Sequence, residues 1–247
     1  DLHSFPTRRS SDLQLEHLHV KAADVENHGL VQAKEETILH TARLKNDATG
    51  EIYGKEINVQ ATNDTEEDIA VTALYNSGKI ISEADTTIHA VSVVNTGTLA
   101  AAIAPSGKAN DIGTLTITAK ELKNNGAHLL SGKDIVVSAE NLRTQSGQIA
   151  GNGDVSLAVK NGLDIQNASL QSGKDLAVEA NAMPLTGNLS ANRDMRLTLH
   201  GGDLSNETAS ENFGNLHAGR NLTTNPSWRS EERRVGKEYR SRGSPYH

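Results

Sequence analysis

Four aspartates recur at nearly equal spacing in the middle of the chain, and they could do chemistry if they line up in space: Asp134, Asp154, Asp175 and Asp194. Paired carboxylates can act as general acid and general base in hydrolysis. Their repetition favours a shared structural role instead, in which each carboxylate caps N–H groups of the preceding turn. The sequence therefore predicts no catalytic residue in this column.

Histidines and acidic residues could bind metals, but no complete set of ligands is present. His17 and His19 alternate onto one face beside Glu16, with His40 further along, and a zinc site needs more ligands than these supply. The acidic stretch NDTEED at 63–68 has oxygen ligands for calcium but lacks the glycines of a calcium loop. The two SGKD stretches lack the remaining glycines of a phosphate loop. We therefore expect no metal and no cofactor.

Two further groups of residues are candidates for contacts or modification. Aromatic residues make up only 3% of the chain, so those in or beside predicted loops are the best candidates for apolar contacts with a partner: Tyr53, Tyr75 and Phe213. N-x-S/T sequons can accept sugar in a cell that has the enzyme, and such sequons begin at Asn167, Asn188, Asn206 and Asn221.

The elements that position these residues are copies of one repeat of about 20 residues. Each copy opens on an acidic or polar residue, called here the opening residue, followed by apolar residues that alternate with polar ones. Ile135, Val137 and Ala139 show this alternation, which is typical of a strand with one buried face. The opening residues are Glu16, Glu36, Glu56, Asp85, Thr114, Asp134, Asp154, Asp175, Asp194 and Asn221.

Each repeat also carries two shorter apolar sites, such as Leu142 and Ile149, separated by Gly, Asn and Ser that favour tight turns. Three short strands per repeat cannot bury their apolar faces within one unit, but they can pair with the next unit. The prediction is an all-β, right-handed parallel β-helix with coils of about 20 residues, stacked about 4.8 Å apart. Asparagines at equivalent turns are expected to form an amide ladder along the axis: Asn27, Asn46, Asn76, Asn124 and Asn206.

Three longer steps between opening residues predict loops at 63–81, 103–113 and 206–214. A leucine-rich repeat is the rival architecture, because its period is similar. It requires a helical return segment, whereas the return segments here are rich in Gly, Ser and Asn and still alternate. The longest apolar run, Leu99 to Ala104, is far too short to cross a bilayer.

The composition excludes several protein classes. With no Cys, disulfide scaffolds and thiolate metal sites are excluded, and a net charge of -7 disfavours nucleic-acid binding.

The two ends resemble in-frame translations of sequencing-library adapters, DLHSFPTRRSSDL at 1–13 and RSEERRVGKE within 229–247. We therefore expect residues 14–228 to form the β-helical domain and the flanking segments to be foreign to it.

The run SGKDIVVSAENLRTQSGQIAGNGDVSLAVKNGLDIQNASLQSGKDLAVEA resembles the haemagglutinin-type repeats of filamentous haemagglutinins and of contact-dependent growth inhibition exoproteins. The resemblance is specific over 111–224 and weaker over 14–110. It implies a right-handed β-helical shaft, exported unfolded through an outer-membrane two-partner secretion transporter and folded at the cell surface.

Two classes of function remain open. The first is a fragment of a large secreted exoprotein, a non-enzymatic shaft for adhesion or for presenting a distal toxin domain. Its partners would be the transporter and a receptor or glycan on a host or neighbouring cell, with no nucleic acid and no membrane span. The second is a β-helical polysaccharide lyase or hydrolase, which requires a non-repeated cluster of charged residues on one sheet. The basic residues found, such as Lys174, Arg193 and Arg220, occupy the repeated turn.

Overall fold

The structure is a computed structural model that describes residues 15–60, 71–184, 186–201 and 214–225. All regular elements in that part of the chain are β-strands. They are β1 (Leu15–Asn27), β2 (Leu30–Asn46), β3 (Glu51–Gly54), β4 (Glu56–Gln60), β5 (Val71–Asn76), β6 (Lys79–Ser82), β7 (Thr86–Asn95), β8 (Thr98–Ala101), β9 (Thr114–Lys123), β10 (His128–Ser131), β11 (Asp134–Arg143), β12 (Gln148–Gly151), β13 (Val155–Asp164), β14 (Ser169–Ser172), β15 (Leu176–Ala182), β16 (Asn188–Ala191), β17 (Met195–Leu199), β18 (Leu216–Ala218) and β19 (Leu222–Thr224).

The strands form a parallel β-helix, which confirms the predicted fold class. A typical coil contains one long strand, such as β11, then a turn and a four-residue strand, such as β12. Long strands pair in parallel with long strands of the neighbouring coils, and short strands pair with short ones, as in β11 with β13 and β12 with β14. The long β2 takes part in both sheets, pairing with β3 near its start and with β4 and β5 further on.

The prediction of three short strands per repeat is wrong for the typical coil, which has two strands, and holds for the coil at 56–82, which contains β4, β5 and β6. The first and second apolar sites lie on one continuous strand, for example Ile135 and Leu142 on β11. The residues between them, Glu140 and Asn141, include no Gly or Pro that would end a strand. β11 pairs with β9 through this point without a shift of register, and the irregularity in its pairing with β13 comes from one extra residue between Val159 and Leu163.

The predicted axial register is confirmed at every step except the first. The opening residues Thr114 and Asp134 pair directly. In the following coils the residues that come directly after the opening residues pair in sequence: Ile135 with Val155, Val155 with Leu176, and Leu176 with Met195. At the N-terminal end, His17 rather than Glu16 pairs with Glu36, because the register shifts between Leu15 and His17. The first step is therefore 19 residues, the separation of His17 from Glu36.

The core is a narrow column of aliphatic side chains. Ile135, Val137 and Ala139 are buried, whereas Val136 between them is exposed, as the period-two pattern predicts. Leu142 and Ile149, from the second and third apolar sites of the repeat, are buried in the same interior. Burial of a Leu, Ile or Val side chain stabilises the fold by about 1.5–3 kcal/mol. No aromatic side chain is buried among the described residues, so the aliphatic composition suits the narrow interior.

The first of the three predicted loops is partly formed by strands. The prediction of a loop at 63–81 is wrong for its second half, because 71–76 forms β5 and 79–82 forms β6. Within 103–113 the chain does leave the sheets, with a small antiparallel bridge between Ile103 and Ala109. The loop predicted at 206–214 and the acidic stretch at 63–68 lie outside the described residues, apart from Gly214.

Glycines at the turns allow neighbouring coils to approach closely. A Cβ on Gly97 would lie 2.1 Å from the carbonyl oxygen of Gly78, and a Cβ on Gly78 would lie 2.0 Å from that of Gly50. The Thr98 N–H donates to the Gly78 carbonyl at 2.9 Å, so the backbone cannot retreat without losing that bond. These positions require glycine because of the space between coils.

A Gly97→Ala variant tests this constraint. We expect it to lower the free energy of unfolding by about 1–3 kcal/mol, because the new methyl group overpacks the turn. The matched control is Gly29→Ala, since a Cβ there meets no atom within 4 Å. Guanidinium unfolding followed by circular dichroism measures both variants. Equal midpoints for the two would contradict the close approach at Gly97.

Candidate functional site

Five buried asparagines form a continuous amide ladder at the turn that follows the long strand. The Nδ2 of Asn27 donates to Oδ1 of Asn46, and Asn46 to Asn76, each at 2.8 Å. Asn76 then donates to Asn95 at 2.8 Å, and Asn95 to Asn124 at 2.7 Å. The predicted ladder is confirmed for its described members, while Asn206 lies outside the described residues.

Asn95 is a member of the ladder that sequence reasoning missed. The signal was present, since Asn76-Ser-Gly78 and Asn95-Thr-Gly97 share one pattern. The ladder ends at Thr144, whose Oγ1 accepts from Asn124 at 3.2 Å. In the next coil Ile165 occupies the corresponding part of the turn, and it is buried.

Each ladder amide also holds the backbone of its own turn and of the next coil. Asn95 Nδ2 donates to the Gly97 carbonyl at 3.3 Å and to the His128 carbonyl at 3.0 Å. Buried polar groups are tolerated only when such partners are present. The ladder therefore positions this corner of the rod and leaves no free polar group there for a ligand.

The aspartate column caps backbone N–H groups, but in the following coil rather than the preceding turn. Asp134 Oδ1 accepts from the N–H of Asp154 at 2.8 Å, and Asp154 Oδ1 from that of Asp175 at 3.0 Å. Asp175 Oδ1 accepts from the N–H of Asp194 at 3.0 Å. The predicted direction was wrong because axial pairing brings the next opening residue directly over each carboxylate.

Arg193 binds two members of this column. Its Nη2 lies 2.7 Å from Asp175 Oδ2 and 3.5 Å from Asp154 Oδ1. The backbone N–H of Asp194 and the Arg193 guanidinium hold the pKa of Asp175 below its usual value. A carboxyl group with a lowered pKa stays ionised and is a poor general acid near neutral pH. These contacts support the structural interpretation of the column.

Some of the described histidines pair with carboxylates, and His28 lies near two of them, Glu26 and Asp47. His19 Nε2 lies 3.2 Å from Glu36 Oε2, and no group of three metal-ligating residues occurs in the described part of the chain. His28 forms a close hydrogen bond with Asp47, which raises the pKa of His28. The hydrogen bonds from His28 and Thr49 lower the pKa of Asp47 to about 2.

One open groove of about 380 Å³ lies on the outer surface beside Tyr75. The Tyr75 side chain, on β5, belongs to a residue that is 44% exposed and stands in register with Lys45 of the coil before. Arg43, Lys45, Asn46, Asp47, Tyr75 and Ser77 line the groove. An exposed aromatic ring between cationic, acidic and hydroxyl groups can stack on a partner and hydrogen-bond to it.

The cations of this groove are already partly neutralised. Arg43 Nε donates to Asp24 Oδ1 at 2.7 Å, while Lys45 Nζ lies 3.8 Å from Glu26 Oε1. The acidic partners lie on the coil before, directly along the axis. The groove is therefore mixed in charge, and it presents hydrogen-bonding groups rather than a strong positive field.

The structure separates the aromatic residues predicted as partner contacts. Tyr53 lies on β3 in the short-strand sheet, in register with Ile81, whereas Tyr75 lies on a long-strand element. Burial raises the pKa of Tyr53, and the nearby Glu51 raises it further. Phe213 lies outside the described residues. The two tyrosines therefore form two separate candidate contacts.

A model of the haemagglutinin repeat matches the chain in three overlapping segments, residues 18–102, 94–158 and 144–226. No curated protein and no solved structure matches it. None of the described residues forms a helix of the length and hydrophobicity that crossing a membrane requires.

An Asn95→Ala variant tests the amide ladder. We expect the free energy of unfolding to fall by about 2–4 kcal/mol, because each buried polar group left without a partner costs about 1–3 kcal/mol. The matched control is Asn141→Ala, whose side chain donates only to Glu121 on the surface at 2.5 Å. Chemical unfolding midpoints measure both, and a similar loss in both variants would contradict a structural role specific to the ladder.

Proposed function

The chain belongs to the haemagglutinin repeat family, and we propose that it is a length of rigid shaft from a large secreted bacterial exoprotein. The shaft would adhere to other cells or hold a distal toxin domain away from the cell surface. During export its partner would be an outer-membrane transporter of a two-partner secretion system. On the outside, its partner would be a receptor or glycan of a host or neighbouring cell.

The observation that supports a shaft is the unbroken axial pairing of coils. From β1 to β19, successive coils pair through parallel long strands, and the short strands pair from β2 to β18. A rod of about ten coils spaced by about 4.8 Å is on the order of 48 Å long. Because each coil contacts mainly its two neighbours, length can grow by adding coils without redesigning the core.

An adhesive role would lie on the outward side chains, since the inward ones are used by the core. The groove beside Tyr75 combines an exposed ring with Arg43, Lys45 and Asp47, and Tyr53 is a second candidate contact on the other sheet. Tyrosines are frequent binding hot spots, because they bury a large apolar area and still hydrogen-bond. We extend the same proposal to Phe213.

We further propose that the chain has no catalytic activity of its own. The basic residues near the carboxylates repeat with the coils, and the contacts of Arg193 and Arg220 are ion pairs with Asp175 and Asp194. A β-helical lyase or hydrolase would instead hold charged residues free to reach a sugar. Saturable sugar release from a polysaccharide by the purified chain would contradict this part of the proposal.

Removal of one whole coil tests the modular shaft. Deletion of 114–133 joins Gly113 to Asp134. In the shortened chain β11 takes the place of β9 and pairs with β7 in the same register. We expect the shortened chain to fold with the same strand content, because Asn95 can donate to Thr144 as Asn124 does. Circular dichroism and cooperative chemical unfolding measure the outcome.

The control for this deletion removes half a coil. Deletion of 114–123 takes away β9 alone and places the Asn124 turn where a strand must pair. We expect that variant to lose cooperative unfolding. A chain that tolerates both deletions equally, or neither, would argue against a shaft built from interchangeable coils.

Attachment of chain-coated beads to cultured epithelial cells tests the adhesive contacts. We expect Tyr75→Ala to weaken apparent binding by on the order of tenfold or more, as loss of a hot-spot tyrosine does. The matched control is Val136→Ala, another exposed apolar residue that lies outside the groove. If Tyr53→Ala and Tyr75→Ala both attach as well as the control, the tyrosines carry no adhesion.

A further inference from the structure

Asn-Gly pairs occur at three places in the described coils, and such a pair can react without an enzyme. The pairs are Asn125-Gly126, Asn152-Gly153 and Asn161-Gly162, and all three asparagines are exposed. Because glycine has no Cβ, its backbone nitrogen can closely approach the side-chain carbon of the asparagine before it. The residue types and the exposure of the asparagine are alike at the three pairs, so only the surrounding structure distinguishes them.

The next coil holds Asn125-Gly126 at both of the groups that would react. The Asn125 Oδ1 accepts from the backbone N–H of Gln145 at 3.1 Å. The Gly126 N–H donates to the Gln145 carbonyl at 2.8 Å. Both groups have to give up a hydrogen bond before the Gly126 nitrogen can meet the Asn125 carboxamide.

The coil before holds Asn152-Gly153 through its backbone. The Asn152 N–H donates to the Ser131 carbonyl at 3.1 Å, and the Gly153 N–H donates to the Lys133 carbonyl at 2.5 Å. Gly153 is buried, and a Cβ placed on it would lie 2.1 Å from Asp134 Oδ1. The nitrogen that has to attack is therefore both hydrogen-bonded and enclosed.

Asn161-Gly162 lies at a bulge of β13, where this strand has one residue more than either neighbouring strand. Neither Lys160 nor Asn161 has a paired residue in the coil before or in the coil after, since a bulge leaves its extra residue out of the ladder. The Asn161 carboxamide forms no hydrogen bond with any described residue. A Cβ on Gly162 would meet no atom within 4 Å. This pair therefore has the open space that a reaction between its two residues requires.

We propose that Asn161 deamidates spontaneously and becomes a mixture of aspartate and isoaspartate. The Gly162 nitrogen loses its proton to hydroxide and attacks the Asn161 Cγ, which forms the N–C bond of a succinimide ring. The bond from Cγ to Nδ2 breaks, Nδ2 takes up a proton, and ammonia leaves. Water then opens the ring, giving isoaspartate by attack at the backbone carbonyl and aspartate by attack at the side-chain carbonyl. The net reaction consumes water and releases ammonia, and it needs no other reactant.

The bulge also allows β13 to accept the product. Isoaspartate adds a carbon atom to the main chain, and both products add a carboxylate to the outer surface. Val159 and Leu163 on either side are buried and paired with the coil before, so the added length falls between two fixed points and outside the core. The reaction therefore makes the outward charge of this coil more negative while the coils remain stacked.

Incubation of the purified chain at mildly alkaline pH, in water enriched in heavy oxygen, tests the proposal, because only conversion during the incubation carries the label. Mass spectrometry with electron-transfer fragmentation follows each asparagine and separates isoaspartate from aspartate. Synthetic peptides covering 122–129, 149–156 and 158–165 give the rate of each pair without the fold. Relative to these peptides, we expect the folded chain to slow Asn125 and Asn152 at least on the order of tenfold more than Asn161, because their hydrogen bonds have to open first.

Variants at the pair test the ring closure itself. Gly162→Ala places its Cβ in open space, so we expect it to keep the circular dichroism of the parent chain and to slow conversion by on the order of tenfold or more, since the methyl group hinders the nitrogen. Asn161→Gln should remove the labelled product from this segment, while the matched Asn141→Gln, one coil before, should leave it in place. Equal slowing of the three pairs in the folded chain would overturn the proposal, as would an unreacted Asn161 after several half-lives of its peptide.

Discussion

The constraint on which the rest of the structure depends is the spacing between coils set by parallel strand pairing. Neighbouring strands lie about 4.8 Å apart, so each residue has a nearly identical environment one coil above and one coil below. A turn can then close only where the residue beneath it leaves room, which explains the glycines at 78 and 97. The same spacing brings amide to amide and carboxylate to N–H along the axis.

This spacing divides the side-chain positions into inward and outward ones, which differ in the residue types that they accept. Inward positions of the described coils are filled mostly by aliphatic residues, and at a few of them by buried asparagine, threonine or serine side chains. Outward positions have no such restriction, and Lys45, Tyr75 and Val94 occupy one outward column. Recognition by this rod therefore has to be sought in outward columns, where one coil differs from the next.

The sequence predicted those features that the axial repeat determines directly. Period-two alternation identified the buried faces, and the spacing of opening residues from Glu36 to Asn221 gave the axial register. The ladder was predictable because asparagines recur before turn glycines. Prediction was weaker where insertions interrupted the period. Residues 71–82 contain β5 and β6 where a loop was expected, and Asn95 was missed within the long step from Asp85 to Thr114.

Other features depend on geometry that the period does not contain. A strand can continue through two polar residues such as Glu140 and Asn141, so the joining of two apolar sites on β11 was not visible in the sequence. The shift at His17 is a local irregularity of register. Which coil an aspartate caps depends on the direction of its side chain. That Tyr53 and Tyr75 face different sides follows only once the two sheets are assigned.

The amide ladder gives the two halves of the rod unequal resistance to mechanical unwinding. From Asn27 to Thr144 every coil boundary carries a side-chain hydrogen bond in addition to its strand pairing and apolar contacts. Beyond Thr144 the interior of that corner is apolar, with Ile165 in place of an amide. Tension on a shaft built this way would meet a buried side-chain hydrogen bond at each coil near Asn27, and near Asn221 the mostly exposed bonds of the aspartate column, which water can replace.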